Sequence, residues 1–481
     1  MLFNSLNFAI FFPVVFVAYW FIFRKSVRSQ NIILVIASYI FYGFWDWRFL
    51  FLLAFSTGLD YFTGIKIHNS PSEKVRKIWL LISVITNLGF LGFFKYYNFF
   101  ADSFADFISL FGLKPDFVTL NIILPVGISF YTFHGLSYVF DIYNRKISPT
   151  VNLIDYTLFV SFFPLLVAGP IERATHLLPQ VIAPRTFNYT KAVDGLRQIL
   201  WGLFKKMVIA DNCAQYANLI FDNNADYHGS TLVLGAVFFA FQIYGDFSGY
   251  SDIALGTARL LGFELLQNFK FPYFSRDIAE FWRRWHVSLS SWFRDYLYIP
   301  LGGNSGNQWI RIRNTFIIFI VSGFWHGANW TFLAWGLLNA LYFLPLLLMG
   351  KNRNNLEVVA AGKIFPGFAD ITGIIVTFSM TTFAWIFFRA ENMHHAIEYI
   401  SGIYSPSILI QPEIDAQGII TLALTGAFLV VEWIGREGAY GIAHIGLTLP
   451  RFLRWTFYAF IIFIIAVFME TEESPFIYFQ F

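Results

Sequence analysis

Two stretches of this chain carry most of the information about its fold: Phe281–Asn304, FWRRWHVSLSSWFRDYLYIPLGGN, and Phe324–Trp330, FWHGANW. Each stretch places one histidine, His286 or His326, among tryptophans and phenylalanines. Ionisable side chains are costly inside a membrane and are kept there mainly where they serve a function. The two histidines are therefore the first candidates for a functional site.

The composition around these stretches is that of a protein that crosses a membrane many times. Of the 481 residues, 57% are hydrophobic, 21% aromatic and only 13% charged, and the mean hydropathy is +0.57. Apolar runs of membrane-crossing length recur from Phe8–Phe23 to Phe452–Phe468 and leave no space for a separate soluble domain. We expect a single membrane domain over residues 1–481, built as an all-α transmembrane bundle, because helices satisfy their own backbone groups in lipid.

The first apolar run and the cysteine count exclude several other classes of protein. The first 23 residues carry no charge, which indicates a retained span rather than a cleavable signal peptide. Cys213 is the single cysteine and no CxxC or Cys/His cluster occurs, so we expect neither an internal disulfide nor a metal site. The net charge of +3 is small, and no nucleic-acid partner is expected.

The loops between the apolar runs differ in charge, and this difference predicts the topology. Asp222–Ser230, Ala390–Ala416 and Glu470–Phe481 contain no Lys or Arg, so the positive-inside rule places them outside. The basic segments, predicted to be cytoplasmic, are Arg24–Arg28, Lys66–Lys77, Arg145–Lys146, Arg259–Arg313, Lys351–Lys363 and Arg436–Arg454. Both termini then lie outside. The predicted spans are 8–23, 31–45, 48–65, 79–95, 119–143, 194–221, 231–258, 370–389, 417–435 and 453–469.

Two apolar stretches do not fit as single crossings: Leu153–Ala168, which Gly169-Pro170 closes, and Asn314–Gly350. Both are predicted to be re-entrant or short-helix segments, a form that membranes tolerate only against protein or a water-filled cavity. The second stretch begins and ends at basic segments, so it is predicted to form a hairpin with both ends at the cytoplasmic face. Its turn, His326–Asn329, is expected to lie deep in the membrane.

The segment Ile278–Leu297 is predicted to form an amphipathic helix at the interface or along a cavity. Its apolar positions recur at helical spacing and cover about 120° of the helix surface. His286 lies at the edge of this apolar face, one turn from Trp282 and Ser290. Two interpretations stay open from these residues alone: an active-site histidine, or a histidine that anchors a tryptophan-rich interfacial helix.

His326 has a more specific setting. It follows Phe324-Trp325, precedes the small residues Gly327-Ala328, and has almost only apolar neighbours. A neutral imidazole can accept a proton from a hydroxyl group near neutral pH. We therefore predict that His326 acts as a catalytic base, with a structural hydrogen bond as the alternative.

Three arginines near His286 are candidates for binding an acyl donor. The guanidinium groups of Arg283, Arg284 and Arg294 could bind the phosphates of a coenzyme or of a carrier's prosthetic group. They could equally anchor the helix at the cytoplasmic face. Asp246 and Asp252, in YGDFSGYSD, either line the same cavity or pair with these arginines.

The remaining histidines and several absent motifs narrow the choice. His134 lies in an apolar span and is interpreted as a core histidine, and His394-His395 are expected to be solvated in an outer loop. The sequence contains no HxxxxD pattern, no GxSxG elbow, no Walker A loop and no DxD motif. Glycerolipid-type acyltransferases, serine hydrolases, P-loop enzymes and DxD sugar-nucleotide enzymes are thereby disfavoured.

Six blocks of the chain, in order, resemble the membrane-bound O-acyltransferases (MBOAT), in particular their bacterial alginate O-acetyltransferase branch. The blocks are SYIFYGFWDWRFL (38–50), LPVGISFYTFHGLSYVFDIY (124–143), FFPLLVAGPIER (162–173), YGDFSGYSDIA (244–254), WRRWHVSLSSWFRDYLYIPLGGN (282–304) and FWHGANWTFLAWG (324–336). They cover most of the chain. The resemblance implies a helical bundle hollowed by a funnel or tunnel.

The resemblance also implies roles for individual residues. The family's invariant active-site histidine matches His326, and its second polar active-site position, which is Asn in many eukaryotic relatives, matches His286. Within the same blocks, Trp285, Trp325 and Asn329 are further candidates for substrate or donor binding. Together with Asp246 and the three arginines, they form the set of candidate residues for substrate or donor binding.

The activity implied by the resemblance is O-acyl transfer, most simply O-acetyl transfer, in the bacterial inner membrane. The donor would be acetyl-CoA or an acyl-carrier thioester, and the acceptor the hydroxyls of an exported polysaccharide such as alginate. An extracytoplasmic SGNH-type partner, the polysaccharide-export machinery and membrane lipids are the expected partners. The alternatives are peptidoglycan O-acetylation, teichoic acid D-alanylation, and a transporter or flippase for lipid-linked saccharides, which a broken-helix cavity would also suit.

Overall fold

The computed structural model describes residues 1–112, 122–167, 169–470 and 476–477, and these residues form helices and loops without any strand. The predicted all-α fold is therefore confirmed. The chain divides into two compact units, Met1–Asn188 with Leu260–Leu265 and Tyr189–Arg259 with Leu266–Phe481. A single membrane domain over the whole chain stays a prediction.

The first unit consists of long apolar helices followed by three short ones. Its helices are α1 (Leu6–Val17), α2 (Val27–Gly43), α3 (Phe49–Asn69), α4 (Glu73–Leu91), α5 (Tyr97–Ser109), α6 (Ile128–Tyr143), α7 (Leu153–Ser161), α8 (Phe163–Leu166) and α9 (Ala174–Ile182). Turns of π-helix at Ala18–Ile22 and Gly92–Tyr96 continue α1 and α4.

The second unit contains both candidate histidines. Its helices are α10 (Tyr189–Phe204), α11 (Asp211–Asp222), α12 (Gly229–Leu260), α13 (Ile278–Arg284), α14 (Val287–Phe293), α15 (Gln308–His326), α16 (Trp330–Leu348), α17 (Phe368–Arg389), α18 (Met393–Ile403), α19 (Ala416–Gly435) and α20 (Arg451–Phe468). Turns of π-helix occur at Lys205–Ala210 and Arg294–Tyr298, and short 3-10 turns at Asn224–Asp226, Pro272–Phe274 and Pro406–Leu409.

Seven helices in the described part of the chain are long and apolar enough to cross a membrane. Six coincide with predicted spans, and the seventh is α16, the second arm of the predicted hairpin. They are Phe49–Asn69, Glu73–Ser109, Gly229–Leu260, Trp330–Leu348, Phe368–Arg389, Ala416–Gly435 and Arg451–Phe468. The prediction of a multi-pass membrane protein is confirmed.

The predicted span 119–143 begins later than expected. Helix α6 starts at Ile128, because Gly127 before it has φ 73°, a left-handed conformation that interrupts a helix and suits glycine. Residues 122–127 are not helical, and the first part of the predicted span lies outside the described residues. The predicted short-helix segment 153–168 is confirmed as α7 and α8, and Ala168 itself is not described.

Helices α15 and α16 form the predicted hairpin around the turn at residues 327–329. Gly323 and Gly336 let the two arms approach closely, because a Cβ on either would lie 2.2 or 2.4 Å from a carbonyl oxygen of the other arm. Each arm has 19 residues. At 1.5 Å per residue each arm is about 28 Å long, nearly the thickness of a bilayer core. The turn therefore lies about one arm length from the two ends of the hairpin, and its depth in the membrane stays a prediction.

The predicted continuous helix over Ile278–Leu297 is wrong. The structure ends α13 at Arg284 and starts α14 at Val287, with His286 between them at φ 42° and ψ 54°. A non-glycine residue in this left-handed region cannot continue an α-helix. The break turns the chain at the candidate histidine itself.

Candidate active site

His286 is positioned by the loop that precedes α13. The Val287 backbone N–H donates to the Asn268 carbonyl oxygen at 2.9 Å, and the Ser288 hydroxyl donates to Asn268 Oδ1 at 2.5 Å. The Lys270 N–H donates to the Arg284 carbonyl oxygen at 3.0 Å on the other side of the break. These bonds hold the strained backbone of His286 from both directions and fix where its ring projects.

His326 is the last residue of α15 and lies next to the hairpin turn. Gly327 continues in an extended conformation, and a Cβ there would lie 2.0 Å from the Phe332 ring, so only glycine fits. Asn329 caps α16 by accepting from the Thr331 N–H at 3.1 Å, and its side-chain amide donates to the Glu391 carbonyl oxygen at 2.6 Å. The turn is therefore tied to the chain just beyond the end of α17.

The two candidate imidazoles lie close together. Their ring centroids are 6.5 Å apart, and both rings contact Trp325, at 6.0 Å from His286 and 5.0 Å from His326. Both side chains are buried, with 1% and 3% of the residue surface exposed. At this separation both rings can reach groups of one bound substrate.

Aromatic rings enclose the pair on its other sides. Phe247 lies edge-on to His286 at 4.7 Å, and Trp335 and Phe388 lie edge-on to His326 at 5.2 and 5.3 Å. His286 lies outside the seven apolar helices, and burial lowers its pKa to about 3. Its ring is therefore neutral at physiological pH and can serve as a hydrogen-bonding group.

A small polar cavity of about 20 Å³, space for about one water molecule, lies close to His286. Asn268, whose bonds hold the His286 break, is part of its wall, and Phe269 in the wall contacts Phe247 and Trp285 at 4.9 and 5.0 Å. The hydrophilic residues of the wall are Lys205, Ser248, Ser251, Asp252, Gln267, Asn268, Glu432 and Tyr440. Gln267 and Tyr440 belong to segments predicted to be cytoplasmic.

Charges in this polar cavity are compensated, but one hydroxyl is not. Lys205 Nζ lies 2.6 Å from Asp252 Oδ2, and the Tyr244 hydroxyl donates to Glu432 at 2.6 Å. Within the residues that the structure describes, the buried Ser248 Oγ has no hydrogen-bond partner. An unsatisfied hydroxyl in a cavity wall is a place where water or a polar ligand is expected.

The three predicted donor-binding arginines make contacts within the protein. Arg283 donates to the carbonyl oxygens of Asn352 and Asn355, both at 2.8 Å. Arg284 pairs with the buried Glu280 at 2.7 Å, and Arg294 pairs with Asp295 while its side chain is 61% exposed. The contacts of Arg283 and Arg284 fix the α13 region, whereas Arg294 only pairs with its neighbour, and donor binding by all three stays a prediction.

The other predicted site residues are distributed unequally. Trp285 is fully buried and packs on Phe281 and Trp385 at 5.5 and 5.0 Å, so it supports the wall behind His286. Asp246 is buried, lies 3.0 Å from Lys206 Nζ and accepts from the Ile477 N–H at 2.7 Å. Its expected pairing with the arginines is therefore replaced by a pairing with Lys206.

The isolated histidines also have defined surroundings. His134 is fully buried, and its Nε2 accepts from the Glu172 N–H at 3.1 Å, as expected for a core histidine. His394 is exposed, but His395 is half-buried and its Nε2 lies 3.0 Å from the Phe221 carbonyl oxygen. The expectation that His395 is solvated is wrong, because α18 packs that side against α11.

Across residues 1–112, 122–167, 169–470 and 476–477, no group of three or more His, Cys, Asp or Glu side chains could hold a metal ion.

Sequence reasoning missed the aromatic residues that close the site. Phe247 occurs in the YGDFSGYSD block and Trp335 in TFLAWG, whereas Trp385 and Phe388 occur in FAWIFFR, which no motif had marked. An aromatic run in a membrane helix is a usable signal only when its neighbours in space are known. Asn268 carried no signal at all.

The chain matches the family model "MBOAT, membrane-bound O-acyltransferase family" over residues 128–390, which is more than half of its length and includes both histidines. The chain belongs to this family, and it is a multi-pass membrane O-acyltransferase. The resemblance of the six sequence blocks is thereby confirmed. The transporter alternative has no support from this membership.

Three relatives indicate the range of the similarity. A protein of Pseudomonas aeruginosa named "Probable alginate O-acetylase AlgI" is 37% identical over 92% of this chain and 82% of its own length. The "Peptidoglycan O-acetyltransferase" of Helicobacter pylori is 36% identical over 84% of this chain and 80% of its own length. The "Teichoic acid D-alanyltransferase" of Bacillus subtilis is 26% identical over 59% of this chain and 73% of its own length.

Proposed function

We propose that this protein is an O-acetyltransferase of the bacterial inner membrane, which moves an acetyl group from a cytoplasmic thioester towards hydroxyl groups of an exported or cell-surface polysaccharide. The observation that carries the proposal is the pairing of His286 and His326, 6.5 Å apart in an aromatic enclosure. The relatives named for O-acetyl transfer are 36–37% identical, against 26% for the D-alanyltransferase. This difference favours acetyl over D-alanyl transfer.

His326 is proposed to act as the general base. Its neutral imidazole takes the proton of the acceptor hydroxyl as the oxygen attacks the thioester carbonyl carbon. The C–S bond then breaks, the new C–O ester bond remains, and the imidazolium returns the proton to the leaving thiolate. His326 ends α15, and the partial negative charge of a helix C-terminus stabilises the positive charge that develops on its ring.

His286 is proposed to position the reactants rather than to carry the proton. Its ring is neutral because burial lowers its pKa to about 3. A neutral imidazole can donate one hydrogen bond and accept another, so it can orient the acceptor hydroxyl or polarise the acyl carbonyl. Because a thioester is already activated, positioning and base catalysis together can supply most of the rate enhancement.

The donor is proposed to be acetyl-CoA or an acyl-carrier thioester that approaches His286 from the side of the small polar cavity. The wall of this cavity offers hydroxyl and amide groups, including Ser248, Gln267 and Asn268, to the amide-rich arm that carries the thioester. Two residues of its wall, Gln267 and Tyr440, belong to segments predicted to be cytoplasmic. Of the two candidate places for donor recognition, this cavity and the arginines at α13, we favour the cavity, because protein groups already engage Arg283 and Arg284.

The acceptor is proposed to be an alginate-like polysaccharide. An SGNH-type extracytoplasmic partner and the polysaccharide-export machinery would complete the transfer. The second candidate is O-acetylation of peptidoglycan, which the relative of Helicobacter pylori supports at nearly equal identity. The two candidates share the same chemistry at the histidine pair and differ only in the acceptor.

Purified protein in proteoliposomes tests the proposal. Labelled acetyl-CoA or acetylated carrier protein is supplied on one side, and de-O-acetylated oligomannuronate or peptidoglycan fragments on the other, with and without an SGNH-type partner. We expect alkali-labile acetyl label on a saccharide or on the partner. Transfer of D-alanine but not of acetyl, or no acyl transfer from any thioester, would reject the proposal.

A further inference from the structure

A second concave surface lies in the unit that holds the histidine pair, on the side predicted to be outside. It is formed by the 3-10 turn Asn224–Asp226 and helix α18, and its volume is about 350 Å³, near the lower end of the range of ligand-binding pockets. We call it the outer groove. Its principal lining residues are Asn224, Tyr227, His394, Ile397, Glu398 and Ser401.

The residues of the outer groove offer mixed chemistry. His394 Nδ1 lies 3.4 Å from Glu398 Oε2. The two side chains are 81% and 55% exposed, so each can leave the other and bind a ligand instead. Asn224 and Ser401 add further donors and acceptors, and Tyr227 adds an aromatic ring. A sugar ring presents hydroxyls that both donate and accept, and C–H faces that pack on aromatic rings. The lining matches a saccharide better than an anion or a purely apolar ligand.

The shape of the outer groove suits an extended chain. His394, Glu398 and Ser401 are spaced four and three residues apart, so they lie along one face of α18. At 1.5 Å per residue this face runs for about 10 Å along the helix. A ligand bound along the whole of this face is therefore an extended chain rather than a small compact molecule.

The outer groove is physically connected to the turn beside His326. The Asn329 side-chain amide donates to the Glu391 carbonyl oxygen at 2.6 Å, and the Glu391 N–H donates to His395 Nδ1 at 3.4 Å. Asn392 caps α18 by accepting from the His395 N–H at 2.9 Å. The first turn of α18, which carries His394, is therefore fixed to the hairpin turn next to the proposed base.

We propose that the outer groove binds the saccharide chain that carries the acceptor hydroxyls and holds it near the hairpin turn beside His326. This inference rests on the proposed function, since it names where that function's acceptor is held. Asp222–Ser230 and Ala390–Ala416, which supply the lining, contain no Lys or Arg and are predicted to be outside, where an exported polysaccharide is met.

The test uses purified full-length protein and two labelled probes, de-O-acetylated oligomannuronate and a chitooligosaccharide. Tyr227→Ala and Glu398→Gln alter the outer groove. Tyr404→Ala and Glu413→Gln are the matched controls: Tyr404 is 75% exposed nearby, and Glu413 pairs with His228 at 3.4 Å with a 54% exposed side chain, much as Glu398 pairs with His394. Saccharide binding is measured directly, and acetyl transfer is measured separately.

We expect the groove variants to weaken binding of at least one probe about tenfold and to raise its apparent KM equally, with kcat and the donor KM unchanged. The controls should stay within about twofold of the wild type. Unchanged saccharide binding by both groove variants, or no binding of either probe to the wild type, would overturn the proposal. Groove variants that lose binding of an SGNH-type partner but keep saccharide binding would also overturn it, because the groove would then be a protein-docking surface. If binding falls in the groove variants but the wild type transfers no acetyl group, the proposed function fails and the groove assignment stands.

Discussion

His286 and His326 come from separate elements of one unit, and their ring centroids lie 6.5 Å apart. The left-handed backbone of His286 ends α13 and aims its ring, whereas His326 gains its position by ending the first arm of a closely packed hairpin. Trp325 contacts both rings. The geometry of the pair therefore depends on one strained residue and one glycine-rich turn, and both can be tested.

The strained backbone of His286 predicts an unusual order among its substitutions. His286→Gly and His286→Ala both remove the ring, but a left-handed conformation costs a non-glycine residue about 1–2 kcal/mol. We expect His286→Gly to have the higher apparent melting temperature in detergent, and both variants to lose most acyl transfer. His286→Asn should keep more activity than either, because asparagine tolerates this conformation and can still hydrogen-bond. Full activity in His286→Gly would show that the ring is not needed.

The contacts of Arg284 predict a loss of stability rather than of donor affinity. Arg284→Gln removes an ion pair with Glu280, which is 1% exposed, and hydrogen bonds to charged groups of this kind contribute about 1.5–3 kcal/mol. We expect a lower melting temperature and an unchanged donor KM. Arg294→Gln is the control, because its exposed pair with Asp295 contributes less than about 1 kcal/mol. A raised donor KM at unchanged stability would instead support phosphate binding by Arg284.

The polar cavity beside His286 predicts a specific effect on the donor. Ser248→Ala removes a hydroxyl from the cavity wall without adding volume, at a position only 1% exposed. We expect a severalfold higher KM for the thioester with little change in kcat. Thr257→Val is the matched control, since Thr257 is a buried hydroxyl on the same helix and does not line the cavity. Equal effects of the two substitutions on the thioester KM would show that the cavity does not bind the donor.

The hairpin predicts which residues share a face of the membrane. In a Cys213→Ser background, Arg313→Cys and Lys351→Cys should both react with membrane-impermeant thiol reagents from the cytoplasmic side. Glu391→Cys should react only from the opposite side, because its carbonyl accepts from Asn329 at the hairpin turn. All three parent residues are exposed. Labelling of positions 313 and 351 from opposite sides would contradict the hairpin topology.

Features that depend on local pattern were predictable from the sequence. The hairpin followed from an apolar stretch with basic segments at both ends, and His326 stood out because an ionisable residue among apolar ones is rare. The break at His286 was not predictable, because helical spacing of apolar residues continues through it. The reason the helix stops is visible only in the structure: Asn268 and Lys270, which lie outside the predicted helix, hydrogen-bond the backbone on both sides of His286.

The roles of the charged residues were the least predictable part of the site. Arg283 and Arg284 carried the right chemistry for phosphate, but loop carbonyls and Glu280 engage them in the folded protein. Asp246 was associated with the arginines, yet Lys206, forty residues earlier, pairs with it. Ion pairs of this kind depend on which helices pack together. The spacing of residues within one segment cannot predict that packing.

The exchange of His326 for glutamine tests the central claim most directly. Single-turnover acetyl transfer from labelled thioester by purified His326→Gln should be about 10²–10⁴-fold slower than in the wild type, because the base is lost while the buried site stays filled. The exposed His444→Gln serves as the control and should transfer at the wild-type rate. Membrane insertion and melting temperature are compared for all three proteins. A folded His326→Gln protein that transfers acetyl within a few-fold of the wild-type rate would contradict the assignment of His326 as the base.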